Sequence, residues 1–225
     1  MPEPGRIGSQ GELGSGRFVP TERPPNLPHP PGYEGRFDLA GWYLVRALVR
    51  LRSSLGRRTP SLIDLGMGRG RDLIYLARCG FRVFGVDIAP GGLQKAQRRA
   101  ARLRVRVRTQ LGDLRTYRLE GPFDVVFSSS SLNHLPPKLR RRRFAHFKAA
   151  TSPGGLHAMN AFLPAPDRRP VVDLEPDSTP FRPGELRGYY SDWQILDSRR
   201  FEFECDFGTD RHHHALDVVI ARKPA

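Results

Sequence analysis

Residues 62–88 read LIDLGMGRGRDLIYLARCGFRVFGVDI, and the order of signals inside them decides the fold. The stretch SLIDLG (61–66) is an apolar run of strand length, and it ends in glycines at 66, 68 and 70 that predict a tight turn. Residues 71–79 place Leu73, Leu76 and Ala77 on one helical face, and Gly80 stands where a helix stops. FRVFGVDI (81–88) predicts a second strand.

The same alternation continues on both sides. Upstream, residues 38–55 set Leu44, Leu48, Leu51 and Leu55 at helical spacing. Downstream come a helix over 90–103 and a third strand, VRVRTQL (105–111), with arginines alternating outward. FDVVFSS (123–129) predicts a fourth strand and 137–151 a helix; LHAMNAF (156–162), after the turn SPGG (152–155), predicts a fifth strand. Strands alternating with helices imply an α/β fold: a doubly wound, mostly parallel, Rossmann-like sheet. After Phe162 the character changes. LPAPDRRPVVDLEPDSTPFRP (163–183) has six prolines in 21 residues and suits neither a helix nor a central strand. It follows the fifth strand at the ligand-binding end of the sheet, as a candidate lid or as a plain connector. A short helix (184–191) and two extended runs (193–206 and 215–222) complete the chain. With no helix between them, those runs predict a C-terminal antiparallel hairpin and seven strands in all. Residues 1–32 hold eight Pro and six Gly with no apolar period, and read as a disordered tail before one folded domain over 33–225.

The chain has 225 residues, 38% of them hydrophobic, enough for a single sizeable core. No stretch approaches the ~20 apolar residues of a membrane span, and the two cysteines, Cys79 and Cys205, make no disulfide framework or zinc site. A reducing, cytoplasmic compartment is the expectation. The net charge of +14 is carried by arginine, which supplies 33 of the 37 basic residues. Residues 33–162 hold 25 basic and 8 acidic groups, whereas 163–225 are net acidic by three. Such a surface attracts anions from small oxyanions to nucleic acid.

In doubly wound sheets ligands bind beyond the carboxyl ends of the strands. Three of the eight acids of 33–162 lie at successive strand ends: Asp64, Asp87 and Asp113. A carboxylate at Asp87 can accept both hydroxyls of a ribose, and one at Asp113 can accept from an exocyclic amine. Caps would explain one or two of these structurally. The turn spacing G-x-G-x-G puts Arg71 where a dinucleotide fingerprint requires its third glycine, so the pyrophosphate reading is weakened.

LIDLGMGRGRDLIYLARCGFRVFGVDI, GDL (112–114), FDVVFSS and SPGG resemble, in order, the motifs of class I S-adenosylmethionine-dependent methyltransferases. The resemblance covers about residues 40–162 and implies S-adenosyl-L-methionine as cofactor. It implies that Gly66, Met67, Gly68 and Gly70 pass the methionine part, with Asp64 nearby. Asp87 would hold the ribose, Ile88 flank the adenine, Asp113 and Leu114 hold its amino edge, and Ser128 complete the set. PFRPGELRGYYSDWQIL (180–196), Arg211 and VVIARKP (218–224) are similar to the end of the tellurite-resistance methyltransferases, which act on tellurium and selenium oxyanions. The His-Arg pair of that family is missing from EFECDFG (202–208).

Two residues are candidates for catalysis. His134, just past the fourth strand, is placed as a general base or as a loop hydrogen-bonder. Arg211 is placed to hold an oxyanion, or else pairs with Asp210 or Asp206. A metal site is not expected, because in the run His212–His214 only His212 and His214 can share a face. Lys138 and Arg140–Arg143 sweep around a helix and cannot make one flat face, which favours a solvated surface over nucleic-acid binding. The expected activity is methyl transfer to a small, anionic or soft acceptor. The alternatives are O-, N- or S-methylation of another metabolite, and a non-catalytic cofactor binder with a basic nucleic-acid-binding surface.

Overall fold

The computed structural model describes residues 39–164, 177–205 and 212–225. The elements run α1 (Leu39–Leu51), β1 (Ser61–Leu65), α2 (Arg71–Arg78), β2 (Arg82–Asp87), α3 (Pro90–Arg102), β3 (Arg108–Leu111), β4 (Phe123–Ser128), α4 (Pro137–Ala149), β5 (Thr151–Leu163), α5 (Glu185–Gly188), β6 (Gln194–Cys205) and β7 (His212–Arg222). The seven strands form one sheet in the order β3-β2-β1-β4-β5-β7-β6. β1 to β5 are parallel, and β7 runs antiparallel to both β5 and β6. The chain reverses its direction of winding between β1 and β4, so the crevice at a doubly wound sheet's switch point opens beyond their carboxyl ends.

Each strand has two faces because side chains alternate, and each face has its own core. On one, Leu62 of β1 and Val83 of β2 pack with Leu44, Val45 and Leu48 of α1 and Leu73 and Leu76 of α2. On the other, Ile63, Leu65 and Val86 pack with Phe144 and Phe147 of α4 and Leu186 of α5. β1 is buried along its whole length, as a parallel strand covered on both sides must be. Each such leucine contributes about 1.5–3 kcal/mol on leaving water.

The structure corrects several expected boundaries. The third strand is limited to 108–111, because Arg104, at φ 55, and Val105, whose N–H reaches the Ala100 carbonyl at 2.9 Å, close α3. Arg104, Arg106 and Arg108 are nevertheless exposed, as alternation predicts. β5 begins at Thr151 and absorbs SPGG through a register shift against β4. The helix expected over 184–191 is confined to 185–188. β6 and β7 pair as the expected hairpin, but β7 also pairs with β5 from Leu156↔Arg222 to Leu163↔Ala215, and so lies inside the sheet.

The arginine run of α4 also departs from a solvated surface. Arg141 and Arg142 are exposed, whereas Arg140 and Arg143 are buried. Arg140 donates to the carbonyls of Leu135 (2.9 Å) and Pro180, pairs with Glu185 at 3.1 Å and lies 3.7 Å from the Phe181 ring centroid. Arg143 donates to the Tyr117 carbonyl. A four-residue sweep around a helix sends two side chains inward, and here the inner pair finds carbonyls and rings. The tail 1–32 and residues 165–176 of the proline-rich insertion lie outside the described residues.

Candidate functional site

The turn after β1 is tied to β2. The N–H groups of Gly66 and Met67 both donate to the Val86 carbonyl, at 2.8 and 3.1 Å. Gly66 meets the loop after β4 closely: a Cβ there would lie 2.2 Å from Ser131 Oγ, and that hydroxyl donates to the Gly66 carbonyl at 3.0 Å. Gly68 is the opposite case. It has φ +54, a region that disfavours side chains, and its Cβ direction meets nothing within 4 Å.

Asp87 joins two turns. One carboxylate oxygen accepts the Gly68 N–H at 2.7 Å and the other accepts Ala89 N–H at 2.9 Å. An ionised carboxylate offers about four lone-pair sites, so each oxygen keeps one for a ligand hydroxyl. Ile88, the next residue, is 60% exposed, and Leu111 at the end of β3 is 54% exposed. They are the two large hydrophobic side chains left in solvent among the described residues, and both stand at strand ends. Gly112 N–H donates to the Asp87 carbonyl at 2.9 Å, which draws the loop carrying Asp113 alongside. The Asp113 carboxyl is held below its usual range by its bonds to Arg115, a partly exposed pair. Asp64 is enclosed at the end of β1, and its pKa is pushed well above the carboxylate range by burial, then by Asp72 and Asp87.

The structure thus brings Asp64, Gly66, Gly68, Asp87, Ile88 and Asp113 to one end of the sheet. Met67, Leu114 and Ser128 stand at the same strand ends, with their side chains turned to packing or to a backbone bond. A Cβ on Gly85 would lie 2.2 Å from the Met67 sulfur, so the Met67 side chain fills the hollow beneath β2. Leu114 belongs to the opposite core, and the buried Ser128 hydroxyl donates to the Leu65 carbonyl at 2.9 Å. Gly70 caps α2, against Ala96 of α3. Arg211 lies outside the described residues. His134 closes a short 3₁₀ turn (Leu132–His134), partly exposed, and its ring has no hydrogen bond among the described residues. His213 is exposed and His214 buried against Phe162, as strand alternation requires.

Three polar residues escaped the sequence reading. Asn160, wholly buried in β5, accepts the Ser130 N–H at 2.6 Å and donates to Ser129 Oγ at 3.2 Å. It supports Ser130 in a left-handed conformation, φ 60, a strained state for a serine. Asn133 brackets Phe162, donating to its carbonyl at 3.1 Å and accepting its N–H at 2.9 Å, and its own carbonyl accepts Thr179 N–H at 2.8 Å. Ser131 is the third, through Gly66. An asparagine within the apolar run HAMNAF was the available signal, since a buried amide needs partners.

Residues 62–155 match the model of a family described as a methyltransferase domain. The chain is 30% identical over 134 residues to hemagglutinin 1 of Eikenella corrodens, covering 60% of this chain and 44% of that protein. It is 25% identical over 136 residues to a probable S-adenosyl-L-methionine-dependent methyltransferase, TehB, of Haemophilus influenzae, covering 60% and 46%. The chain thus spans less than half the length of these curated relatives. The crystal structure of TehB from H. influenzae superposes with a TM-score of 0.70 at 22% identity, over 81% of this chain and 62% of that one, a likeness of fold. The sheet order, the glycine turn bonded to Asp87 and the match of residues 62–155 to a methyltransferase-domain model agree in making this chain similar to the class I S-adenosylmethionine-dependent methyltransferases.

Proposed function

We propose that the protein transfers the methyl group of S-adenosylmethionine to a small acceptor, and that the acceptor is a tellurium or selenium oxyanion. The observation that supports the cofactor site is the Gly68–Asp87 bond beneath an open space, flanked by exposed Ile88 and Leu111. These residues fit the group. Asp87 would hold the ribose hydroxyls, Ile88 and Leu111 would flank the adenine, and Asp113 would accept from its amine once Arg115 swings aside. Asp64 would face the cationic part. The cofactor, when bound, supplies an electrophilic methyl on a sulfonium. The chain then contributes alignment and exclusion of water, which account for most of the acceleration in an in-line displacement. A tellurium or selenium lone pair carries no proton, so this acceptor needs no base. Arg211 would hold its oxygens with a guanidinium fork.

A second reading has one observation in its favour. His134 presents a ring without a described partner beside the loop after β4, where it would take the proton of an O–H or N–H acceptor. The deciding experiment incubates the protein with methyl-labelled cofactor and either tellurite, selenite or a panel of hydroxyl, amine and thiol acceptors. Label on the oxyanions, retained in His134→Ala and lowered about 10- to 100-fold in Arg211→Ala, is the expected result. Label only on hydroxyl or amine acceptors, lost in His134→Ala, replaces the oxyanion with the second reading. No transfer to any acceptor removes both.

A further inference from the structure

The β3–β4 connection, residues 112–122, passes over the sheet without a helix. Beneath it, on the α4 face, lies a cleft of about 580 Å³ walled by Ile63, Arg82, Phe84, Arg108, Tyr117 and Glu120. This volume suits one flat ring system. Its floor is the half-buried Phe84, packed edge-on to Phe123 at 5.4 Å. The guanidinium groups of Arg82 and Arg108 lie 6.0 and 5.6 Å from the Phe84 centroid. Both arginines are exposed, and neither has an ion pair among the described residues. No residue of this wall belongs to the cofactor cleft.

The rim continues into a band of one sign. From Ile88 to Gly112 the chain has seven basic residues and no acid. Lys95, Arg98, Arg102, Arg104, Arg106 and Arg108 are exposed, without ion pairs among the described residues. β3 is the edge of the sheet; Arg108 lines the cleft, and Arg104 and Arg106 lie on the segment that leads into it. Guarding an edge strand needs a charge or two; Arg104, Arg106 and Arg108 in succession, with Arg82 and Arg108 themselves lining an aromatic floor, exceed that need. A polymer with repeated negative charge and flat rings matches both features at once, through phosphates on the arginines and a base on the aromatic and guanidinium planes. An acidic peptide would use only the charges.

We infer that the β3 edge and the Phe84 cleft dock a single-stranded nucleic acid, with phosphates along Arg104, Arg106 and Arg108 and a base against Phe84. The docking is separate from methyl transfer.

The test is fluorescence anisotropy of the full chain with a labelled oligouridylate of about 12 nucleotides, between about 50 and 200 mM salt. Arg104→Ser/Arg106→Ser/Arg108→Ser should weaken binding by about 10- to 1,000-fold and flatten the salt dependence. Phe84→Leu keeps an apolar contact for Phe123 and should cost roughly 5- to 100-fold while keeping the salt slope. Arg82→Ser, a surface change, reads the cleft without touching the core and should cost several-fold. Arg141→Ser/Arg142→Ser, exposed on α4 away from the cleft, should bind as wild type. Equal losses in that control would mean that net charge alone binds, which overturns the proposal. So would wild-type affinity in both cleft variants. Polyglutamate bound as tightly and lost in Phe84→Leu would reassign the cleft to an acidic peptide. A dimer dispersed by Phe84→Leu, with no oligonucleotide bound, would reassign it to a second copy.

Discussion

In the cofactor site proposed above, Asp87 and Gly68 would do their work with little chemistry once the backbone is arranged. The carboxylate keeps two turns together and still has acceptor capacity, while the glycine leaves the space along its Cβ direction open. Asp87→Ala should weaken S-adenosylmethionine by about 5- to 150-fold, the equivalent of about 1–3 kcal/mol of charged hydrogen bonding. Gly68→Val adds a branched side chain at φ +54 into that space and should abolish binding. Titration calorimetry checks both, alongside circular dichroism for folding. Undiminished cofactor affinity in the pair would mean that the site lies elsewhere.

At the scale of elements, α4, β5 and the chain returning to α5 are locked by Arg140 and Asn133. Arg140 is 1% exposed and its partner Glu185 19% exposed, so removing one leaves the other charge poorly solvated. Glu185 is held below its usual pKa despite burial, through bonds to the Arg182 N–H, Tyr189 and Arg140. Arg140→Ala should therefore cost about 3–5 kcal/mol. A urea double-mutant cycle with Glu185→Gln should give a coupling of about 1–3 kcal/mol. Additive losses would show that the buried guanidinium serves the carbonyls of Leu135 and Pro180 rather than the carboxylate.

For the whole molecule, the pH dependence of stability should pass through one buried imidazole. His157 of β5 lies between Thr151 Oγ1 and the Tyr190 hydroxyl, each at 2.8 Å, with Lys148 and Lys223 as the nearby charges. Burial lowers its pKa to about 3, opposed by a backbone hydrogen bond with Phe147, while Lys148 and Lys223 add smaller depressions. The unfolded chain binds this proton near pH 6.5 and the folded chain does not. The contribution is complete above pH ~6.5 and shrinks as pH falls towards 3, by up to one proton's worth of slope. His157→Asn should be less stable at neutral pH yet lose less between pH ~7 and 5. Urea unfolding of both proteins across that range checks it, and parallel curves would exclude His157 as the group involved.

The doubly wound sheet and the three carboxylates at its strand ends were legible in the chain, because apolar period and glycine turns are local properties. LIDLG followed by a helix and FGVDI requires parallel neighbours, and the residues that end those strands fall at the same end of the sheet. Non-local contacts decided the rest. Whether Arg140 and Arg143 meet solvent or carbonyls depends on Thr179 to Glu185 and on Tyr117, which are far along the chain. The direction of Met67 depends on the absence of a side chain at Gly85, and the Ser130 backbone depends on an asparagine thirty residues later. The antiparallel insertion of β7 between β5 and β6 likewise depends on which edge is free after five parallel strands have formed. Sequence period sets which face of an element is apolar; only packing sets what each polar group on the other face will find there.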